Sequence, residues 1–110
     1  MNPYTTCILQ KPTQTQSGID VTTTWVDYGK PFLGMLQSLS MQERTNPFNK
    51  ETVFATYRLF IFARDLNDAI HDLSELREKN RIRISTIVYD IQAVHPYFGI
   101  HYEVELLEVT

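Results

Sequence analysis

Cysteine is nearly absent. Cys7 stands alone among 110 residues, so no disulfide can form within the chain, as is usual in reducing compartments. A basic block is also lacking. The densest cationic stretch, Arg77, Lys79, Arg81 and Arg83, is diluted by Glu75 and Glu78, and the formal net charge is −3. Gripping nucleic-acid phosphates requires concentrated positive charge, so tight DNA or RNA binding is disfavoured. No apolar run approaches the ~20 residues of a bilayer-spanning helix. The segment Met1, Asn2, Pro3, Tyr4 does not show the charged-then-apolar order of a secretory signal. These absences predict a soluble chain made in the cytoplasm, with no membrane partner.

The motifs of catalysis and metal binding are missing too. His71, His95 and His101 have no zinc-like spacing to each other or to Cys7. His71 and Glu75 form an i, i+4 pair, but a solvated helix face is the commoner origin of such a pair than a metal site. Asp65, Asp68 and Asp72 read as helix capping and solubility, with no EF-hand loop after them. There is no nucleophile elbow, glycine-rich phosphate loop or HExxH, and Cys7 in an apolar stretch reads as a small buried hydrophobe. The chain is expected to be no enzyme, with no cofactor and no metal.

What is present is β-prone and aromatic. Phe, Trp and Tyr make up 12% of the chain, a bias toward strands and contact surfaces. Residues 5–11 read as a strand that stops at Pro12, and the polar segment 13–18 as a loop. Residues 19–28 form the next strand candidate, with Ile19, Val21, Thr23 and Trp25 on one face at period two. Gly29, Lys30 and Pro31 punctuate the chain before a third candidate at 32–39, in which Gly34 marks a bulge or a close approach. Residues 40–51 have no period and carry the turn signal Asn46-Pro47, so they read as a long projecting loop.

The strongest strand signal is 52–63. Val53, Ala55, Tyr57, Leu59 and Ile61 alternate with Phe54, Phe60 and Phe62, so both faces are apolar. In so short a chain, one of these faces is available for a subunit interface, with Phe54, Phe60 and Phe62 as its candidates. Leu66, Ala69, Ile70, Leu73 and Leu76 recur at helical spacing, predicting one amphipathic helix of about three turns within 65–80, capped by Asp65 or Asn67 and ending near Arg77 and Lys79. A phase break at Ser85-Thr86 predicts a hairpin of strands 81–84 and 87–94. Residues 95–99 form a turn and 101–109 a last strand. The predicted fold is mainly β: one domain over 1–110, a small barrel or sandwich of about six antiparallel strands with one short amphipathic helix. Its core is predicted to hold Trp25, Leu59, Ile61, Tyr89, Ile91, Val104 and Leu106.

The order of these landmarks resembles the head-closure, or head–tail adaptor and stopper, family of tailed bacteriophages. The resemblance rests on a polar segment ending at Gly18, the Thr-rich strand Ile19 to Trp25, and the polar stretch Met41, Gln42, Glu43, Arg44. Arg81-Ile82, the strand containing Tyr89 and Ile91, and the closing strand from His101 through Glu103, Glu105 and Glu108 complete it. In that family Gly usually stands in the turn that Ser85-Thr86 occupies here.

The resemblance covers nearly the whole chain and implies a structural protein of the virion neck, assembled in the host cytoplasm. It implies a homo-oligomeric ring between portal or adaptor proteins above and tail proteins below, with DNA passing through the channel without sequence-specific binding. It implies that the loop 40–51 projects into that channel and helps close the head, retain packaged DNA and attach the tail; Met41, Gln42, Glu43 and Arg44, which begin this polar stretch, are the candidate channel residues. Two alternatives stand beside it: another neck or tail-completion protein such as a tail terminator, and a small-molecule-binding β-barrel.

Overall fold

The computed structural model describes residues 3–45, 52–97 and 99–109, and of the side chains all but those of 39–45 and 52–56. Within these residues the chain is mainly β. Six antiparallel strands, β1 (Tyr4–Ser17), β2 (Asp20–Thr45), β3 (Thr52–Phe62), β4 (Arg81–Ile84), β5 (Ile87–Tyr97) and β6 (His101–Glu108), are joined by one short helix, α1 (Ala63–Ala69), and a 3-10 turn (Leu73–Glu75). The sheet closes into a barrel in the order β1-β2-β3-β6-β5-β4. The closing seam is short: Ile8, Leu9 and Gln10 pair with Arg83, Ile82 and Arg81.

Alternation places one residue in two inside the barrel. Cys7 and Leu9, Leu59 and Ile61, Ile82, Tyr89 and Ile91, Val104 and Leu106 are buried and form one cluster with Phe32, Leu66 and Ile70. Six of the seven expected core residues are in it. Trp25 is the exception: it is only half-buried and lies outside the barrel, with its ring centroid 4.0 Å from the Arg81 guanidinium carbon. Period two assigns a face but does not say where along a strand the barrel ends.

That limit explains most differences from the sequence reading. Two expected strands, 19–28 and 32–39, are one strand, β2. A straight strand of its 26 residues would span roughly 86 Å at ~3.3 Å per residue, against a longest molecular dimension of 47 Å. It therefore bends, at two bulges. Between the pairs Cys7–Phe32 and Leu9–Tyr28 the register shifts, with Gly29, Lys30 and Pro31 on the longer side. A second shift separates Ser38–Tyr57 from Gln42–Ala55. Gly29, at φ +75°, is needed at the first bulge: a Cβ there would lie 2.5 Å from the Ala69 carbonyl oxygen. Gly34 is a close-approach point, its missing Cβ leaving room for Leu59 Cδ1 at 2.8 Å.

Beyond each bulge β2 continues as one arm of a hairpin. At one end β1 and β2 run past the barrel as a two-stranded ribbon, paired from Lys11–Val26 to Ser17–Asp20. The expected strand stop at Pro12 and the loop at 13–18 are thus replaced by strand, and only Gly18 (φ +66°) and Ile19 form the turn. At the other end, Gln42, Glu43, Arg44 and Thr45 pair with Ala55, Phe54, Val53 and Thr52. The expected long loop at 40–51 is therefore strand through Thr45, and its remainder, 46–51, lies outside the described residues.

The helix is also shorter than expected. Its amphipathic pattern is satisfied for two turns, with Ala63, Leu66 and Ala69 buried against the sheet, chiefly β2. At Ile70 the backbone turns extended (φ −126°, ψ 139°). Neither Asp65 nor Asn67 caps it; the N-cap is Phe62, without a side-chain bond. Leu73 and Leu76 belong to the next segment, in which Asp72 accepts from the Ser74 amide at 3.0 Å and Asn80 Nδ2 donates to the Glu75 carbonyl at 2.5 Å. Arg77 and Lys79 follow that 3-10 turn and do not end a helix. The hairpin across Ser85-Thr86 forms as expected, with Ser85 at φ +58°. Strand β5 runs on to Tyr97, three residues past the expected end at 94.

Candidate functional site

The outer face of β3, β6 and β5 carries the densest aromatic surface among the described residues. Strand alternation that sends Leu59 and Ile61 inward sends Arg58, Phe60 and Phe62 outward. Register then sets Phe60 beside Glu103, Phe62 beside His101, and Tyr97 beside His101. The His101 ring stacks on Phe60 (centroids 4.4 Å apart) and on Tyr97 (4.6 Å). Phe60 and Phe62 meet edge-on at 5.1 Å, and Tyr4 lies 6.2 Å from Phe62. Phe62, Tyr97 and Leu33 remain about two-fifths exposed (36%, 41% and 45%).

Charge flanks this stripe. Glu105 is buried at 3% exposure, where Arg58 Nη2 approaches Oε1 at 3.9 Å and His95 Nε2 lies 3.2 Å from Oε2. A carboxylate this enclosed is tolerated when charged and hydrogen-bonding groups surround it. The Tyr97 hydroxyl is held above its ordinary pKa by its hydrogen bond to Glu103.

Of the residues singled out from sequence for an interface, Phe60 and Phe62 share this stripe. Phe54 is on the same strand and its backbone pairs with Glu43, but its side chain is outside the described residues. Met41, Gln42, Glu43 and Arg44 sit in the opposite arm of that hairpin; their side chains are likewise outside the described residues. Sequence reasoning missed Tyr4, His101 and Tyr97 as members of the aromatic surface. Their spacing is uninformative, because cross-strand register brings them together.

No metal-binding chemistry is assembled among the described residues: they hold no group of three His, Cys, Asp or Glu side chains near enough to share an ion. The i, i+4 reading of His71 and Glu75 does not apply, since α1 ends at Ala69. Glu75 instead binds Lys11 (3.2 Å), Arg77 (3.5 Å) and Asn80 Nδ2 (3.1 Å). Together these contacts, the Asn80 bond first, hold its carboxyl below the usual range. Cys7 is fully enclosed and burial pushes its thiol up to about 12; a thiol so placed is a packing group.

No family model matches the sequence, and no curated protein matches it. In its fold, the chain is similar to a chain in the solved structure described as the virion of a native gene transfer agent (GTA) particle. The match covers 94% of this chain and 93% of that one, with a TM-score of 0.59 and 18% sequence identity.

Proposed function

We propose that this chain is a structural, non-enzymatic protein of a phage-like virion, and that within the virion it forms a ring in the neck. The observation that carries this reading is the fold likeness to a chain of the GTA virion, which extends over nearly the full length of both chains. The surface agrees with it. A stripe of aromatic side chains on the outside of a barrel suits a subunit contact, and Phe54, Phe60 and Phe62 are assigned to it. The barrel interior is filled by Leu9, Leu59, Ile61, Val104 and Leu106, which favours a packed scaffold over a small-molecule cup.

In this reading portal or adaptor proteins bind above the ring and tail proteins below. DNA passes through a channel reached by the β2–β3 hairpin, with Met41, Gln42, Glu43 and Arg44 near its opening. The low basic charge of the chain fits a conduit that does not hold phosphates.

Antibody labelling of purified particles, viewed by electron microscopy, tests the proposal. Label at the head–tail junction is the expected result. Label confined to the capsid or tail tip, or particles lacking the chain, would overturn the neck assignment.

A further inference from the structure

The barrel closes through its narrowest junction. At the β1–β4 seam Ile8, Leu9 and Gln10 pair with Arg83, Ile82 and Arg81, whereas β3 and β6 pair from Tyr57–Leu106 to Phe62–His101. Both strands then leave the seam: β1 runs on into the ribbon with β2, and β4 ends at Ile84. Among the described residues, cutting the ring of strands here unpairs fewer residues than cutting it anywhere else. Inside the seam Leu9 and Ile82 are fully buried, so apolar packing favours closure.

The outside of the seam carries a strap. Leu9 points inward, so its neighbour Gln10 points out, yet Gln10 is only 9% exposed. The strand order is β2, β1, β4, and side chains of β2 reach over β1 to β4. Asp27, the register partner of Gln10, accepts from Gln10 Nε2 at 3.0 Å and from Arg83 Nη2 at 3.4 Å. Trp25 lies against Arg81, which also donates to Asp90 of β5. Lys11 reaches Glu75 at 3.2 Å, and Asn80, which directly precedes β4, holds the Glu75 carboxylate at 3.1 Å. Asp27–Arg83, Trp25–Arg81 and Lys11–Glu75 each join the β1–β2 side to the β4 side, and each uses a charged group. Ion pairs with partly exposed side chains weaken as salt rises.

We infer that the seam is a strapped opening in the fold: the barrel parts between β1 and β4 while the other strand pairs hold, and the Asp27–Arg83, Trp25–Arg81 and Lys11–Glu75 contacts set how often it does so. The inference is independent of the place of the chain in a virion. Cys7 reports the event. It directly precedes Ile8 in β1, is enclosed in the core and is the single thiol of the chain. A thiol reagent reaches it only when the barrel parts or the whole chain unfolds.

The test treats the full-length chain with methyl methanethiosulfonate and follows Cys7 labelling by mass spectrometry, beside urea unfolding of the same sample. Rates are normalised to the urea-unfolded chain. Labelling is expected to outrun what global unfolding allows and to rise less steeply with urea, since parting one seam uncovers little surface. Going from ~0.05 to ~1 M NaCl should speed it about two- to fivefold, the size that partly exposed ion pairs give. Asp27→Asn and Arg83→Gln should each do the same at low salt and blunt the salt response. Asp20→Asn, which loses the same charge at the exposed ribbon tip, should change nothing. Labelling that matches global unfolding in rate and in urea slope, in the unaltered chain and in both strap variants, would overturn the opening of the seam. Labelling that outruns unfolding but ignores salt, Asp27→Asn and Arg83→Gln would overturn the strap and put the opening elsewhere in the barrel.

Discussion

Trp25 and Arg81, from β2 and β4, meet face to cation: the guanidinium carbon lies 4.0 Å from the indole centroid, while Arg81 Nε donates to Asp90 Oδ1 at 2.8 Å. One arginine thus ties three strands together where the β1–β2 ribbon leaves the barrel. The indole is half-exposed, and a cation–π contact at such a site contributes ~0.5–1 kcal/mol. Trp25→Ala is therefore expected to cost about 1–2 kcal/mol once some packing is added. Ile91→Ala, at 3% exposure, should cost ~2–5 kcal/mol, as for other core truncations. Urea unfolding of the two variants checks the order; a larger loss for Trp25→Ala would contradict the placement of the indole.

Gly29→Ala should be among the most damaging single-methyl additions. The new Cβ would meet the Ala69 carbonyl oxygen and Ile70 Cγ2 at 2.5 and 2.8 Å, at a positive φ. Backbone cannot yield as a flexible side chain does, so a loss of ~2–3 kcal/mol or failure to fold is expected. Gly18→Ala serves as the control: it also has a positive φ but nothing within 4 Å of the added carbon. It should cost only the left-handed penalty of ~1–2 kcal/mol.

Ser85→Gly should stabilise. Ser85 holds φ +58° in the two-residue turn between β4 and β5, a conformation that costs a non-glycine residue about 1 kcal/mol or more. Part of the gain is offset by the greater freedom of glycine in the unfolded chain, leaving a net gain of up to about 1 kcal/mol. A thermal midpoint that falls would show that the serine side chain makes a compensating contact.

Stability should decline at both pH extremes for separate reasons. Burial raises the Cys7 thiol from 9.0 to about 12 in the folded chain. The unfolded state then loses its proton first, so this contribution is complete below pH 9 and is lost as pH rises toward 12. Glu75 is shifted the other way by Asn80, Lys11 and Arg77. Its contribution is present above the ordinary glutamate range and is lost as pH falls through the lowered folded value. Cys7→Ala and Glu75→Gln should flatten the alkaline and acid limbs respectively; limbs that keep their slope would assign the pH dependence elsewhere.

Replacing residues 42–50 with a short Gly-Ser linker tests the channel assignment. The change removes Gln42, Glu43, Arg44 and Thr45 from β2, whose pairing with Ala55, Phe54, Val53 and Thr52 lies beyond the second bulge, and a two-stranded ribbon contributes little stability of its own. The thermal midpoint should shift little, while particles carrying the variant leak DNA or fail to join tails. Normal DNA retention and normal yield would remove Gln42, Glu43 and Arg44 from the channel.

The sequence by itself determined the β class, the inward set Leu59, Ile61, Tyr89, Ile91, Val104 and Leu106, and the turn at Ser85-Thr86. Each of these is written in local alternation, whose period of two is a property of neighbouring residues. Tertiary structure decided where strands stop belonging to the barrel. Gly29, Lys30 and Pro31 look like a strand break along the chain, yet pairing with β1 on both sides absorbs them as a bulge. Leu73 and Leu76 keep helical spacing, yet Asn80 captures the Glu75 carbonyl and the helix stops at Ala69. The aromatic stripe depends on register between strands distant in sequence. Register follows from closure of the whole sheet, and no local pattern contains it.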